Sequence, residues 1–362
     1  MQADVEKFMR LAVSLAQKAA GETFPNPPVG AVIVKNGKVV GSGFHKKAGG
    51  PHAEIFAIQQ AGRRAQGATL FCTFEPCSHY GRTGPCVEKI IRAKIKRVYC
   101  GMIDPNPLTR GKGVRVLRKA GIKVEVGLLK DSIARLNEPF IKAMTRFKPF
   151  VTVKIAESID GKIATKTGES KWITGSASRD YAHRLRRFFD GIMVGINTVI
   201  KDDPGLECVG LNRSHYLTKI IVDSGLKISP DARLFVTRQP IIIAAVKKNR
   251  AKEAKLIKKG ARVVYTRSDR GKVDLNELLK KLNGLEIRNI LVEGGSGLIG
   301  SMLDKKLADK ALVFIAPKII GKGGLSSVGL EGVTKLKDAI ELKGISVERL
   351  GPDILVEGYL KY

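Results

Sequence analysis

A chain of 362 residues is long for one domain and comfortable for two, each able to bury its own core. Its 64 Lys and Arg against 34 Asp and Glu give a formal net charge of +30. That charge invites a polyanion, but the cations are scattered through both halves ("RRAQ", "KKNRAKEAKLIKKG", "HRLRR") without aromatics between them. It therefore reads as a lysine-rich solvated surface suited to small anionic substrates, with no nucleic acid expected as partner.

The opening "VEKFMRLAVSLAQKAAG" puts Val5, Phe8, Met9, Ala12, Leu15, Ala16 and Ala19 at helical spacing, an amphipathic helix and not a signal peptide. "PVGAVIVKNGKVVGSGF" is two apolar runs about Asn36-Gly37, the signal of a hairpin with a type I′ turn. "HAEIFAIQQAG" then reads as a helix, "ATLFCTF" a strand, "CVEKIIRAK" a helix, and "KRVYCGM", "GVRVLRKAG" and "IKVEVGLL" strand, helix, strand. Alternation of this kind implies a sheet covered on both faces. "TRFKPFVTV" gives charge, Pro149 and a fresh strand, which places a domain boundary there: 1–147 and 148–362. Five cysteines, an odd number without an export signal, argue against a disulfide framework. No stretch approaches the roughly 18 to 20 apolar residues of a membrane span, so no membrane partner and a cytoplasmic location are expected.

The chemistry of the first half lies between His52 and Cys86. Zinc takes nitrogen and thiolate ligands tetrahedrally, and a catalytic site uses three, leaving the fourth position to water. His52, Cys77 and Cys86 supply such a set, and Glu54 stands beside it free to move protons. His-x-Glu followed by Pro-Cys and a further Cys is the pattern of hydrolytic nucleobase deaminases. Cys77 and Cys86 are read at turn-to-helix junctions, where unpaired N–H groups stabilise thiolates. Cys72 and Cys100, inside strands, read as core. Deaminases of cytidine and of tRNA adenosine generally carry Pro-Cys-x-x-Cys, whereas here "SHYGRTGP" separates the cysteines. His79, Arg82 and Thr83 in that loop are donors suited to a phosphate. A rival from another class, a tRNA deaminase with an accessory RNA-binding half, shares the zinc motif but not this gap.

The second half alternates strongly. "DGIMVG", "TKIIVD", "PIIIAA", "ARVVY", "RNILVE" and "ALVFIA" read as strands of a mostly parallel sheet, with helical stretches between several of them. Gly295-Ser296-Gly297-Leu298-Ile299-Gly300 spells G-x-G-x-x-G after a strand and at the start of a helix. Such a helix N-terminus can cradle phosphate, or the glycines can serve close packing. A Rossmann domain carries this motif in its first βα turn with an acidic residue about 20 positions later. Here the motif is late in the chain and the next strand ends without an acid, so a different α/β fold is indicated.

"PNPPVGAVIV", "GSGFHKKAGGPHAE", "EPCSHYGRTGPC" and "DPNP" resemble the deaminase half of bacterial bifunctional riboflavin-biosynthesis deaminase–reductases. "FVTVKIAESIDGKIAT", "GESKWITG", "VGINTVIKDDPGL", "IVDSGLKI" and "LVEGGSGLIGSML" resemble the reductase half in the same order. The resemblance implies a cytidine-deaminase-like α/β/α domain followed by a dihydrofolate-reductase-like α/β domain. It implies zinc and NADPH as cofactors, a phosphorylated ribosylaminopyrimidine as substrate, and a homodimer formed through the reductase domain. By resemblance Asn26, His45, His79, Arg82, Asp104 and Asn106 line the pyrimidine and ribose-phosphate pocket. Ala156, Trp172, Thr198, Asp202, Ser224 and the loop Gly295, Ser296, Gly297, Leu298, Ile299, Gly300 contact the nicotinamide nucleotide. Ser170, Arg186, Leu206 and Glu293 contact substrate, with Arg186 on its phosphate. Two departures stand out: Gly84 replaces a usual proline, and Val209 stands where the family commonly has a second phosphate-binding arginine, with Arg213 four residues on.

Overall fold

The computed structural model describes residues 2–80, 84–208 and 217–362, and the chain divides into two units, 1–147 and 148–362. The first unit runs α1 (Gln2–Gln17), β1 (Gly30–Lys35), β2 (Lys38–Phe44), α2 (Ala53–Ala61), β3 (Thr69–Phe74), α3 (Cys86–Arg92), β4 (Arg97–Met102), α4 (Lys112–Lys119), β5 (Lys123–Val126), α5 (Lys130–Leu136) and α6 (Glu138–Arg146). Its sheet has the order β2-β1-β3-β4-β5; β1 is antiparallel to both neighbours and β3, β4 and β5 are parallel. Asn36 and Gly37 both have positive φ, at 50° and 73°, as a type I′ turn between paired Lys35 and Lys38 demands.

The strand period of two sends side chains to opposite faces. Ala31 and Ile33 join Ala53, Ala57 and Leu70 on one side, while Val32 and Val34 join Met9, Ala12 and Phe71 on the other. On the first side α2 lies almost on the backbone of β2: a Cβ on Gly43 would fall 2.7 Å from the Ala53 carbonyl oxygen, and one on Gly41 2.2 Å from that of Ala57. Those two glycines bring the start of α2, with His52 and Glu54, down onto the sheet.

The second unit contains β6 (Phe150–Ser158), β7 (Lys162–Ala164), α7 (Ser176–Leu185), β8 (Gly191–Gly195), α8 (Ile196–Asp202), β9 (Thr218–Val222), β10 (Ile241–Ala245), α9 (Arg250–Lys258), β11 (Ala261–Tyr265), β12 (Ser268–Asp269), β13 (Lys272–Val273), α10 (Leu275–Gly284), β14 (Asn289–Val292), α11 (Ser296–Asp304), β15 (Lys310–Ala316), β16 (Leu325–Ser326), β17 (Glu341–Leu350) and β18 (Asp353–Lys361). Nine strands form one sheet in the order β11-β10-β9-β8-β14-β6-β15-β18-β17. It is parallel from β11 to β15 and antiparallel across the closing hairpin. That hairpin is tied back through buried Asp353, whose Oδ2 accepts from the Gly175 N–H at 2.7 Å and the Ser178 hydroxyl at 2.6 Å at the start of α7.

α10 shows how sequence builds an element here. Asp274 accepts from the N–H groups of Asn276 and Glu277 as an N-cap, and Leu275, Leu278, Leu279 and Leu282 form its buried stripe. Among the described residues no helix is long and apolar enough to cross a membrane.

Candidate functional site

His52 is the N-cap of α2 in extended conformation. Its Nδ1 lies 3.2 Å from Cys86 Sγ and 3.4 Å from Cys77 Sγ. A tetrahedral zinc with legs of about 2.0–2.3 Å spaces its ligand atoms about 3.5 Å apart, so this donor set fits the ion. Cys86 opens α3, as its sequence context indicates. Cys77 does not open a helix; it lies in the irregular segment after β3. The α3 N-terminus reaches it nonetheless, because the Cys86 N–H donates to Cys77 Sγ at 3.3 Å. Hydrogen bonds from Cys86 and His52 hold the Cys77 thiol down at about 4, against the effect of burial, and the bond to Cys77 pushes Cys86 up. Two sulfurs and a nitrogen thus share protons that a metal displaces on binding.

Glu54, in the first turn of α2, is 3 % exposed. Its Oε2 has no hydrogen-bond partner among the described residues. Burial lifts its carboxyl to about 7, the nearby His52 acting in the opposite sense. A buried acid near neutrality with an unpaired oxygen beside a metal cradle is suited to taking and returning a proton.

Around this centre, Asn26 Nδ2 is 3.1 Å from His45 Nε2, and His45 Nδ1 is 3.1 Å from the Pro51 carbonyl oxygen. With Nδ1–H donated to that carbonyl, Nε2 accepts from the Asn26 amide and fixes that side chain. Both His45 nitrogens are therefore occupied, and its ring meets that of His52 edge-on at 5.2 Å. Asp104 and Asn106 organise their own loop: Asp104 accepts from the Asn106 N–H at 2.9 Å and the Thr109 hydroxyl at 2.5 Å, and Asn106 from the Leu108 N–H at 3.0 Å. His79 is exposed. Arg82, Thr83, Val209 and Arg213 lie outside the described residues.

In the second unit the C-terminal ends of β6, β8 and β14 border two cavities. One, of about 340 Å³, is lined by Ala156, Ser170, Thr198, Asp202, Gly294 to Gly297 and Ile299 among others. The other, of about 200 Å³, is lined by Trp172, Arg179, His183, Arg186 and Glu293, and shares Lys154, Ala156, Ile163 and Ser170 with the first. Gly294 and Gly295 have φ of +73° and +52°, and a Cβ on Gly294 would press on Thr198 at 3.0 Å. Gly297 has nothing within 4 Å of its Cβ position, an open cradle at the start of α11. Gly300 instead serves packing, since a Cβ there would fall 2.2 Å from the Gly329 carbonyl oxygen. One motif thus does both jobs.

A family model described as the cytidine and deoxycytidylate deaminase zinc-binding region matches residues 2–102, and one described as the RibD C-terminal domain matches 149–356. The riboflavin biosynthesis protein RibD of Aquifex aeolicus is 46 % identical over 351 residues, 97 % of each chain, and that of Escherichia coli 36 % identical over 361 residues. The chain belongs to the RibD family. The Acinetobacter baumannii RibD structure, form 1, is 35 % identical with a TM-score of 0.93 and full coverage of both chains. A Thermotoga maritima structure titled as a diaminohydroxyphosphoribosylaminopyrimidine deaminase/5-amino-6-(5-phosphoribosylamino)uracil reductase is 36 % identical with a TM-score of 0.86, covering 99 % of each chain. The RibD family makes this chain a bifunctional riboflavin-biosynthesis enzyme, with a zinc-binding deaminase domain and a reductase domain. Residues 149–356, which the tRNA-deaminase reading takes as an accessory half, match the RibD C-terminal domain.

Within this RibD chain the structure brings together His52, Glu54, Cys77 and Cys86, and separately groups Ala156, Ser170, Trp172, Thr198, Asp202, Arg186, Glu293, Gly295, Ser296, Gly297 and Ile299 along the two cavities. Leu206, Ser224, Leu298 and Gly300 are not in their lining: Leu206 is core, and Ser224 Oγ accepts from the Val273 N–H at 3.0 Å. Arg186 already has three of its five N–H groups engaged within the protein. Its Nε and Nη2 donate to Glu293 at 3.1 and 2.9 Å, and its Nη1 to the Glu207 carbonyl at 2.7 Å. Lys154 escaped the sequence reading, although it interrupts the apolar run of β6. It lines both cavities, and burial lowers its ammonium while Glu293 supports the charge.

Proposed function

We propose that residues 1–147 deaminate 2,5-diamino-6-(5-phosphoribosylamino)pyrimidin-4(3H)-one, and that residues 148–362 use NADPH to reduce the ribosyl group of the product to ribityl. The observation that carries the first half is Glu54, buried with one oxygen unpaired, beside a nitrogen that lies 3.2 and 3.4 Å from two sulfurs. When bound, zinc supplies a water acidic enough to ionise near neutral pH. Glu54 accepts that proton on a carboxylate whose burial favours the neutral acid, and delivers it to the amino nitrogen as ammonia leaves. His45 orients Asn26 so that its carbonyl oxygen meets a pyrimidine N–H.

In the second half, NADPH supplies the hydride when bound. The open backbone at Gly295 and Gly297 and the start of α11 suit its diphosphate, with Thr198 and Asp202 along the same wall. The smaller cavity, with Ser170 and Glu293, suits the substrate. Arg186 keeps the Glu293 carboxylate charged: burial works against it, but Arg186 and Lys154 hold it below the usual range. Arg186 still has one N–H on each Nη beyond those three bonds, and these are what it would offer a substrate phosphate. The edge strand β17, with Ile345 and Val347 exposed, suits the reading of a homodimer through this domain in the cytoplasm.

The test is to incubate the full chain with the phosphorylated diaminopyrimidine, with and without NADPH, and weigh the products. Without NADPH the product is the deaminated ribosyl compound; with it, the ribityl compound two hydrogens heavier. No ammonia release by the zinc-loaded protein would refute the proposal.

A further inference from the structure

Glu75 directly follows β3, two residues before Cys77, and is 7 % exposed. Both of its oxygens are taken, and only by backbone. Oε2 accepts from the N–H groups of Asp104 at 3.0 Å and Gly111 at 2.9 Å, and Oε1 from that of Val114 at 3.1 Å. These donors are the first residue of the loop carrying Asp104 and Asn106, its last residue, and the first turn of α4. The N-cap of α4 is Gly111, which has no side chain to offer, so Glu75 supplies from the segment after β3 the acceptor that this helix start lacks. The docking is close. A Cβ on Gly113 would fall 2.0 Å from the Pro76 carbonyl oxygen, so only glycine lets α4 sit on the turn that leads to Cys77.

Within the loop, the Asp104 side chain holds Asn106 and Thr109, and the Asn106 side chain holds Leu108. The loop is thus internally braced and anchored at both ends to one carboxylate. Bonds from N–H to a carboxylate are roughly twice as strong as neutral ones, and three converge here. With both oxygens engaged by backbone N–H groups, Glu75 differs from Glu54 with its unpaired Oε2.

We propose that Glu75 is a positioning residue of the deaminase: it clamps the 104–111 loop to the metal-bearing turn, so that substrate binding, and not the proton-transfer step, depends on it. This rests on reading residues 1–147 as the deaminase.

The experiment uses the full-length protein and the phosphorylated diaminopyrimidine. Glutamine keeps the shape of Glu75 but turns an N–H toward backbone donors. Glu75→Gln should keep its zinc and hold kcat within about threefold, while KM rises about tenfold or more. Glu75→Asp keeps the charge and should fall between the two. Thr109→Val leaves all three Glu75 bonds in place and removes the hydroxyl that reaches Asp104 Oδ2 and, at 3.4 Å, the Asn106 carbonyl oxygen within the loop. It should also raise KM at steady kcat, and add little on top of Glu75→Gln because both act through one loop. A fall in kcat at unchanged KM, loss of zinc, or an unchanged KM in both Glu75→Gln and Thr109→Val would overturn the proposal. Ammonia release by the unaltered chain, and its loss in Glu54→Gln, are measured alongside. If those fail, the deaminase reading falls and this one with it; if they hold, a KM unmoved by the variants removes only the clamp.

Discussion

The two candidate sites are built by opposite means. In the first unit, side chains converge until a nitrogen and two sulfurs stand within 4.8 Å of one another beside a buried carboxyl group with one unpaired oxygen. Those groups are costly to bury without a purpose. In the second unit, backbone and shape dominate: two glycines at positive φ, an uncovered helix start and two adjoining cavities. Its strongest charges already answer one another in the Arg186–Glu293 pair at 2.9 Å. A site that performs bond chemistry with protein groups must leave some of them unsatisfied. A site that hosts a cofactor carrying its own reactivity needs mainly surface and orientation.

The contrast breaks most sharply at His52. His52→Ala should lose zinc and abolish deamination, while NADPH oxidation with the deaminated intermediate continues. Zinc content and both half-reactions check it; loss of both activities would mean that the sites are not separable.

Glu293→Gln comes next. Removing one partner of a buried ion pair costs about 3–5 kcal/mol, so this unit should melt earlier and reduce poorly while deamination persists. Because the folded Glu293 titrates low, its contribution is present above the unfolded carboxyl range and disappears as pH falls through the folded value. Thermal melts across acid pH should show that loss in the parent chain and not in the variant.

The smallest effect dissects the glycine motif. Gly300→Ala drives a methyl group into the Gly329 carbonyl and should destabilise by about 1–3 kcal/mol. Gly297→Ala meets nothing within 4 Å and should leave the melt unchanged while raising KM for NADPH. Equal melts would sink the division of labour within that motif.

The same contrast explains what could be read without coordinates. His52, Glu54, Cys77 and Cys86 were legible because residue type and spacing encode metal chemistry directly. The Asn36-Gly37 turn and the run of parallel strands followed from φ preference and apolar pattern. Glu75 was not legible: its partners are backbone N–H groups 29, 36 and 39 residues ahead, and any residue offers such a donor. The compensation of Arg186 by Glu293 spans 107 positions and leaves no local trace. The hairpin β17–β18 was missed because its edge strand "ELKGISVERL" is exposed along most of its length, so burial imposes no clear alternation. Helices α5 and α6 went unread beside the domain boundary.

Glu54→Gln separates proton transfer from metal binding. Glutamine nearly matches the shape but cannot accept and return a proton, and the three ligand residues stay as they are. Zinc content and NADPH oxidation with the deaminated intermediate should match the parent chain. Deamination should fall by at least the 10²- to 10⁴-fold typical of general acid–base work. Deamination by Glu54→Gln at near the parent rate, with zinc bound, would contradict the account.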